Sequence, residues 1–377
     1  GAFGTWKHAA PAAGERLVPA QGSGSPYLQG MVIVLDAHTG AVRALVGGRD
    51  FTHSSFDRAF HARRQPGSTF KPIVYATAFK RGMSPASRVE TTPVEAGLAG
   101  AAWRPDDHVP DSVTSLSLRE ALVLSSNHAA VRVGEWAGIG HVADMARTLG
   151  LTTDVPEFPS ILLGSAEVVP AELTAAYATL GNGGYRVVPS VMTRVEDAHG
   201  RVLWTAPDQA ERVIDGTIAY LTTSVMQDVI DRGTGAAVRD GGFWLPAAGK
   251  TGTTNDAKDV WFIGMTPDLA AGVWLGFDRP AAILPNASGG TLAAPVWAAA
   301  MKAAYETRPA PDAWTAPATL VSAPIDAATG QLATPNCPPH DVRIEYFAAG
   351  SEPGEYCSTH PHGLLDRVLR GLRIRRQ

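Results

Sequence analysis

The chain has 377 residues, of which 45% are hydrophobic and 18% are charged; this composition is typical of a globular protein with room for more than one folded unit. Its formal net charge of −4 is small for this length. The charge therefore does not indicate a phosphate-binding surface over the whole molecule, and we expect no nucleic-acid partner.

The first segment, residues 1–29, is rich in Gly, Ala, Pro and Ser and is predicted to be a linker or peripheral segment. It lacks the basic, apolar and small-residue order of a signal peptide. The chain also contains no run of about 18 apolar residues that would span a membrane. We therefore expect the chain as given to be soluble, with any membrane anchor on sequence outside it.

Strand patterns lie on both sides of a helical middle. Residues 31–48 form a predicted hairpin, because two apolar, β-branched runs flank a short turn that contains glycine. Helical patterns dominate the middle of the chain, and short strand-like runs return from about residue 242. This order predicts an α/β (α+β) fold, in which a sheet built from the two ends of the domain is flanked by the helices inserted between them.

A serine and a lysine share the start of one predicted helix. After a Pro-Gly break, residues 68–82 have a helical pattern with Phe70 and Ile73 on its apolar stripe. Ser68 and Lys71 lie roughly 60° apart on a face away from this stripe. Backbone N–H groups and the helix dipole favour developing negative charge at a helix N-terminus. The position suits a nucleophile, although a serine there is more often a cap.

A lysine is normally protonated, so Lys71 can act as a base only if burial or a nearby cation lowers its pKa. A second lysine is therefore expected beside it, and the sequence offers Lys250 in a Lys-Thr-Gly-Thr stretch. Ser125 and Asn127, in a Ser-x-Asn pattern, lie between the two lysines in chain order. Each element is weak alone. Together, in this order, they are the motif set of penicillin-binding proteins and class A β-lactamases.

The chain resembles the transpeptidase domain of class A, bifunctional penicillin-binding proteins from about residue 30 to residue 362, because the sequence around each motif matches as well. The resemblance implies a penicillin-binding, serine β-lactamase-like transpeptidase fold, with a central antiparallel sheet, flanking helices and a helical subdomain. The implied segments are a linker or peripheral segment (1–29), a transpeptidase domain (30–310), a small strand-rich extension (311–362) and a basic tail (363–377).

The resemblance also implies the catalytic roles. Ser68 is the acylated nucleophile, and Lys71 is its base. Ser125 relays protons to the leaving group or from the acceptor, and Asn127 holds the amide of the donor peptide. Lys250 sets the electrostatics of the site.

Substrate binding is implied for the Lys-Thr-Gly-Thr stretch, at Thr251, Gly252 and Thr253, where the two threonines bind the terminal carboxylate of D-Ala-D-Ala. The backbone N–H groups of Ser68 and Thr253 are implied to form the oxyanion hole, in which loss of one donor costs roughly 100- to 1000-fold in rate. We expect no cofactor and assign no metal ligand in this site.

Two features bear on how far the resemblance extends. Asp107 stands where the family pattern leads us to expect asparagine, so whether its loop shapes the substrate cleft is left open. Trp103, in the same loop, is interpreted as a packed loop aromatic. Glu172 is interpreted as an ordinary first-turn helix residue and not as the water-activating glutamate of a β-lactamase. Fast deacylation is therefore not predicted.

The only two cysteines, Cys337 and Cys357, each precede a histidine by three positions, His340 and His360. Two Cys-x-x-His pairs suit a closed tetrahedral zinc site. The alternative is a disulfide that closes a loop of about 20 residues in an oxidising compartment. The disulfide is favoured, because two prolines restrict how His340 turns back to a metal.

The tail, residues 363–377, places leucines at helical spacing among arginines. Such a basic amphipathic helix lies on an anionic membrane or packs on its own domain with its arginines in solvent. The second interpretation is favoured.

The prediction that follows is a serine acyltransferase that cross-links peptidoglycan outside the cytoplasm, in the periplasm or on the cell-wall side of the membrane. Its expected partners are stem peptides, as D-Ala-D-Ala donor and amine acceptor, and β-lactams, with membrane attachment through a segment outside this chain. Two alternatives stay open. A D,D-carboxypeptidase or β-lactamase would hydrolyse fast, and a non-catalytic penicillin sensor would acylate without turnover.

Overall fold

The structure is a computed structural model that describes residues 16–18, 25–98, 101–206 and 211–361. Within these ranges the α-helices are α1 (Lys71–Lys80), α2 (Leu118–Val123), α3 (Asn127–Ala137), α4 (Ile139–Thr148), α5 (Pro170–Gly181), α6 (Gly216–Arg232), α7 (Ala237–Asp240) and α8 (Ala294–Tyr305). The β-strands are β1 (Gln29–Asp36), β2 (Val42–Val46), β3 (Arg88–Glu90), β4 (Ala96–Leu98), β5 (Ala101–Trp103), β6 (Ser115–Ser117), β7 (Arg194–Glu196), β8 (Val202–Thr205), β9 (Ala248–Thr253), β10 (Asp259–Met265), β11 (Leu269–Gly276), β12 (Leu320–Asp326) and β13 (Val342–Ala348). The tail predicted for residues 363–377 lies outside the described residues.

The main sheet joins the two ends of the domain, as the sequence predicts. Its order is β2-β1-β11-β10-β9, and every neighbouring pair is antiparallel. β1 and β2 form the predicted hairpin, and β9, β10 and β11 are the strand-like runs predicted after residue 242. The helices α1 to α7 are inserted between these two groups of strands. The fold-class prediction is confirmed, and β9 lies at an edge of the sheet.

Both faces of the sheet are covered by helices. Neighbouring residues of a strand point to opposite faces, and β10 shows this with two large aromatics. Trp261 belongs to the core shared with α1, α3, α5 and α6, whereas Phe262 packs with Trp297 of α8 on the other face, at a ring-centroid distance of 5.4 Å. The sheet is therefore the middle layer of three.

Helix α1 differs from the sequence prediction in its surroundings. The sequence indicates a single apolar stripe with Lys71 on a face away from the core. In the structure every residue from Lys71 to Phe79 is buried, because α1 packs against α2, α3, α4 and α6 within the main core. The prediction that Lys71 lies on a non-core face is therefore wrong, whereas the burial that a lysine base requires is present. A lysine without access to water must find its partners inside the protein.

The hairpin of β12 and β13 lies in the predicted strand-rich extension. Arg119 of α2 attaches it to the main domain through two hydrogen bonds to the Glu345 carboxylate, at 2.6 and 2.7 Å. Both side chains are almost completely buried. Glu120 adds a second bridge to Arg343 at 2.7 Å, which is more open to solvent.

The cysteines of the extension are both buried and free. The disulfide that the sequence favours is therefore absent from the structure, and that prediction is wrong. The two Cys-x-x-His pairs also differ from each other. The His340 side chain is 81% exposed and lies 3.6 Å from the Asp341 carboxylate, whereas Cys357 Sγ lies 3.5 Å from His360 Nδ1.

Candidate active site

Ser68 lies in a tight turn that leads into α1. The sequence predicts an α-helix from this residue, but the structure has one 3₁₀ turn, Gly67–Phe70, before the α-helix begins at Lys71. The backbone N–H of Lys71 closes that turn on the Ser68 carbonyl oxygen. Side chains three residues apart eclipse one another in a 3₁₀ turn, so Ser68 and Lys71 are aligned more closely than in an α-helix.

Two glycines let the edge strand β9 approach this turn. Gly67 has a φ of +53°, and a Cβ on it would lie 2.9 Å from the Thr253 carbonyl oxygen. A Cβ on Gly252 would lie 2.6 Å from the Pro66 carbonyl oxygen. Any larger side chain would separate the turn from the strand. This close contact places the Lys-Thr-Gly-Thr stretch beside Ser68.

Ser68 is partly exposed and lines a cleft of about 540 Å³. The other walls are the end of β9, the segment 103–106 and the segment 160–165. Trp103 contributes to the wall and also packs against the main core, so the prediction of a packed loop aromatic describes only part of its position. Asn127 and Thr253 also line the cleft.

Lys71 finds its partners in the Ser-x-Asn motif. Its Nζ donates hydrogen bonds to the Ser125 carbonyl oxygen at 2.6 Å, the Ser125 hydroxyl at 3.2 Å and Asn127 Oδ1 at 2.7 Å. A longer bond of 3.3 Å reaches the Ser126 carbonyl oxygen. The structure thus brings the first two motifs into direct contact.

Ser125 and Asn127, the side chains that bond to Lys71, are each constrained by the surrounding structure. Ser125 has a φ of +59°, a left-handed conformation that a serine rarely adopts and that is typical of functional sites. Asn127 donates from Nδ2 to the Asp106 carbonyl oxygen at 2.6 Å while its Oδ1 accepts from Lys71. The amide Nδ2 has a second N–H, which can donate to a donor peptide while the first stays bonded to the Asp106 carbonyl.

Lys250 is the second buried lysine that the sequence predicts. Its Nζ donates to the Thr251 carbonyl oxygen at 3.2 Å and to the Thr251 hydroxyl at 3.3 Å. The Thr251 hydroxyl also bonds to the Thr234 hydroxyl at 2.7 Å. Thr253 Oγ1 accepts from the Gly289 N–H at 3.1 Å. Both threonine hydroxyls are thus positioned by neighbouring elements.

Burial controls the charge of both lysines. It lowers the pKa of Lys71 from 10.5 to about 7, against the opposing effect of the Asp107 carboxylate. Burial, followed by repulsion from Lys71, lowers the pKa of Lys250 well below its ordinary value. Lys71 is therefore available as a neutral amine near neutral pH, which a general base requires.

Asp107 is the residue whose importance the sequence did not reveal. Its Oδ2 accepts from Ser126 Oγ at 2.6 Å and from the His128 N–H at 2.8 Å, which ties its loop to the start of α3. Burial acts to raise the pKa of Asp107, but these hydrogen bonds, one from the Val109 N–H and the charge of Lys71 outweigh it and lower that pKa. Asp107 therefore supplies a negative charge near Lys71.

Glu172 lies outside this cleft. Its carboxylate accepts from the Thr152 N–H at 3.0 Å and from the Thr152 hydroxyl at 2.6 Å, and it occupies the first turn of α5. The position agrees with the interpretation of Glu172 as an ordinary helix residue. The Glu172 carboxylate is therefore not placed to activate a water molecule for attack on an acyl group at Ser68.

The fold and this site define a serine acyltransferase of the penicillin-binding type, with a Ser-x-x-Lys turn, a Ser-x-Asn turn and a Lys-Thr-Gly-Thr edge strand. A family model described as "Penicillin binding protein transpeptidase domain" matches residues 30–302, and one described as "Penicillin-binding protein 1A, C-terminal domain" matches residues 316–362. The chain therefore belongs to the penicillin-binding protein transpeptidase family, whose members are serine D,D-transpeptidases.

Individual relatives agree with this assignment. The chain is similar to penicillin-binding protein 1A of Neisseria lactamica, with 40% identity over 293 residues that cover 75% of this chain and 37% of the relative. The same-named protein of Pseudomonas aeruginosa is 35% identical over 369 residues, which cover 83% of this chain and 44% of the relative. The solved structure of penicillin-binding protein 1A from Haemophilus influenzae has a TM-score of 0.80 at 28% identity and covers 88% of this chain and 55% of that one.

The chain thus spans less than half the length of these two curated relatives. In the part of the chain that the structure describes, no helix combines the length and the apolar character that crossing a bilayer demands.

Proposed function

We propose that this chain cross-links peptidoglycan stem peptides through an acyl-enzyme on Ser68, with Lys71 as the general base. The observation that carries the proposal is the position of Lys71, which is fully buried, has a pKa of about 7 and bonds to both Ser125 and Asn127. An uncharged lysine beside a serine at the start of a helix is an activated nucleophile pair.

The first half-reaction forms the acyl-enzyme. Ser68 Oγ attacks the carbonyl carbon between the two D-alanines, and its proton passes to Lys71 Nζ. The carbonyl oxygen becomes an oxyanion, which the N–H groups of Ser68 and Thr253 stabilise. When the C–N bond breaks, the leaving amine of D-alanine takes a proton relayed from Lys71 through the Ser125 hydroxyl.

The second half-reaction transfers the acyl group. An amine of a neighbouring stem peptide attacks the ester carbonyl, loses a proton toward Ser125 and Lys71, and releases Ser68 as the free hydroxyl. The new amide bond is the cross-link. Thr251 and Thr253 bind the terminal carboxylate of the donor through their hydroxyl groups, and Lys250 sets the electrostatics beside them. Gly252 keeps the strand close to the turn.

β-Lactams acylate the same serine and stay bound, because Glu172 is bonded to Thr152 away from the cleft and does not activate water. Cell-wall cross-linking occurs outside the cytoplasm, so we assign the chain to the periplasm or the cell-wall side of the membrane. Its partners there are donor and acceptor stem peptides, and a segment outside this chain supplies its membrane attachment.

Covalent labelling tests the acylation step. Labelled penicillin should attach to one tryptic peptide, at Ser68, and Ser68→Ala should abolish labelling while the melting temperature is unchanged. Ser165→Ala removes another hydroxyl of the cleft and serves as the control that keeps the label. Label on any other serine would overturn the proposed mechanism.

A further inference from the structure

Four metal-binding side chains converge at the end of β12, far in sequence from the acylation site. They are Asp326, Cys337, Cys357 and His360, and one ligating atom from each lies within 4.8 Å of all the others. Three of the four residues are buried, and His360 is partly exposed. We infer that this cluster is a structural zinc site with two thiolates, one imidazole and one carboxylate as its ligands.

The distances fit a tetrahedral ion. Zinc binds sulfur at about 2.3 Å and nitrogen or carboxylate oxygen at about 2.0–2.2 Å, so tetrahedral angles separate N and S by about 3.6 Å and N and O by about 3.4 Å. His360 Nδ1 lies 3.5 Å from Cys357 Sγ and 3.4 Å from Asp326 Oδ2. Both separations agree with a shared ion between the ligands.

Asp326 provides a second, independent indication. Its Oδ1 is bonded by the Thr329 N–H at 2.8 Å and by the Thr329 hydroxyl at 2.9 Å. Its Oδ2 is buried and, among the described residues, accepts no hydrogen bond of normal geometry; it faces His360 and the two cysteine thiols, the other members of the cluster. Burying a carboxylate oxygen without a partner is costly, whereas a cation at the centre of the cluster would satisfy it.

The two sulfurs are oriented by backbone N–H groups, as metal-bound thiolates are. The Thr334 N–H donates to Cys337 Sγ at 3.3 Å, and the His360 N–H donates to Cys357 Sγ at 3.4 Å. Donors of this kind stabilise the thiolate and fix the direction of the ligand. The second bond also folds the Cys357-x-x-His360 stretch so that both of its side chains reach the cluster.

The extension also has a physical need for such an ion. Among the described residues, the buried apolar cluster at this end of the hairpin consists of Ile325 and Phe347, together with Ala86 from the main domain. A segment this small cannot rely on a hydrophobic core and usually requires disulfides or a metal. Because both cysteines are free, no disulfide cross-links the extension, and a bound metal is the other cross-link that its side chains can form. An ion would join the end of β12 to the segments around residues 337 and 357.

The ligand set selects zinc. Two thiolates with an imidazole and a carboxylate in tetrahedral order are typical zinc ligands, whereas magnesium and calcium require oxygen ligands. All four positions are filled by the protein, which is the pattern of a structural and not a catalytic site. The site therefore takes no part in the chemistry at Ser68.

Metal analysis of the whole 377-residue chain tests this inference. Protein expressed with zinc and purified without chelators should contain one zinc per chain by plasma mass spectrometry. Cys357→Ser and His360→Gln should lose it. His340→Gln is the matched control, because His340 stands in the same Cys-x-x-His pattern but outside the cluster, and it should keep one zinc.

A second measurement does not depend on the folding of any variant. Cobalt exchanged into the unmodified chain should give a thiolate-to-cobalt charge-transfer band and the intense visible bands of a tetrahedral ion. Alkylation under denaturing, non-reducing conditions should modify both cysteines. If neither cysteine is alkylated and no metal is found, the cysteines form a disulfide, and the inference is overturned. Zinc-free protein with two free thiols after zinc titration would do the same, as would loss of zinc in His340→Gln.

Discussion

Lys71 Nζ donates a hydrogen bond of 2.6 Å to the carbonyl oxygen of Ser125, and the hydroxyl of the same Ser125 lies 3.2 Å away. The left-handed backbone of Ser125 turns both groups toward the lysine. Ser125 of the Ser-x-Asn motif therefore holds the Lys71 amine in place and also provides the hydroxyl through which a proton from Lys71 can pass. The strain of this backbone is compensated by the bonds that Lys71 makes.

The first prediction concerns the base. Lys71→Arg should nearly eliminate acylation by penicillin, because arginine keeps the positive charge but does not release its proton at working pH. Lys80→Arg, at the exposed end of the same helix, is the control and should acylate at the normal rate. Acylation that survives in Lys71→Arg would reduce Lys71 to an electrostatic role.

The second prediction is the pH dependence of acylation. Because the pKa of Lys71 is lowered to about 7, the lysine is mostly protonated below that pH and mostly neutral above it. The acylation rate should therefore rise as the pH increases through about 7 and level off at higher pH. Stopped-flow measurement with a chromogenic β-lactam checks this. A rate that stays flat from pH 6 to about 9, across the range where Lys71 titrates, would be inconsistent with a lysine base.

The third prediction concerns Asp107, which raises the pKa of Lys71 by its negative charge. Asp107→Asn removes that charge and keeps a carbonyl acceptor for the Ser126 hydroxyl and the His128 N–H. The midpoint of the pH profile should therefore move to lower pH. Asp106→Asn, at the adjacent exposed position, should leave the midpoint in place. An upward shift in Asp107→Asn would show that the assigned sign of the interaction is wrong.

The sheet and the motif residues could be predicted from the sequence, because their signals are local. β10 and β11 are short apolar runs between polar turns, and β1 begins a hairpin around a glycine. The spacing of Ser68 and Lys71 needs only one turn of helix. Each of these features depends on a few residues that are close together in the chain, so a single sequence is enough to predict it.

The other features depend on contacts between distant segments. The sequence gives Lys71 a face away from the core, and only the packing of several helices around α1 buries it. The spacing does not distinguish His340 from His360, since both follow a cysteine by three positions, and only the two prolines before His340 set the two stretches apart. Asp326 reaches the cysteines because β12 ends beside them, which no local pattern indicates.

The fourth prediction concerns how the extension is attached. Arg119→Met should lower the free energy of unfolding by about 3–5 kcal/mol, because it leaves the buried Glu345 carboxylate without its main partner. Arg343→Met removes a bridge that is about a quarter exposed and should cost at most about 1 kcal/mol. Denaturant titrations of both variants compare the two. Equal losses would show that burial does not set the strength of these pairs.

The central claim is that an amine, and not water, resolves the acyl-enzyme on Ser68. Mass spectrometry of the products formed from cross-linkable peptidoglycan measures this directly. We predict cross-linked stem-peptide dimers with one D-alanine released for each new amide bond, and none with Ser68→Ala. Products that have lost D-alanine but contain no cross-links would identify a D,D-carboxypeptidase and contradict the account.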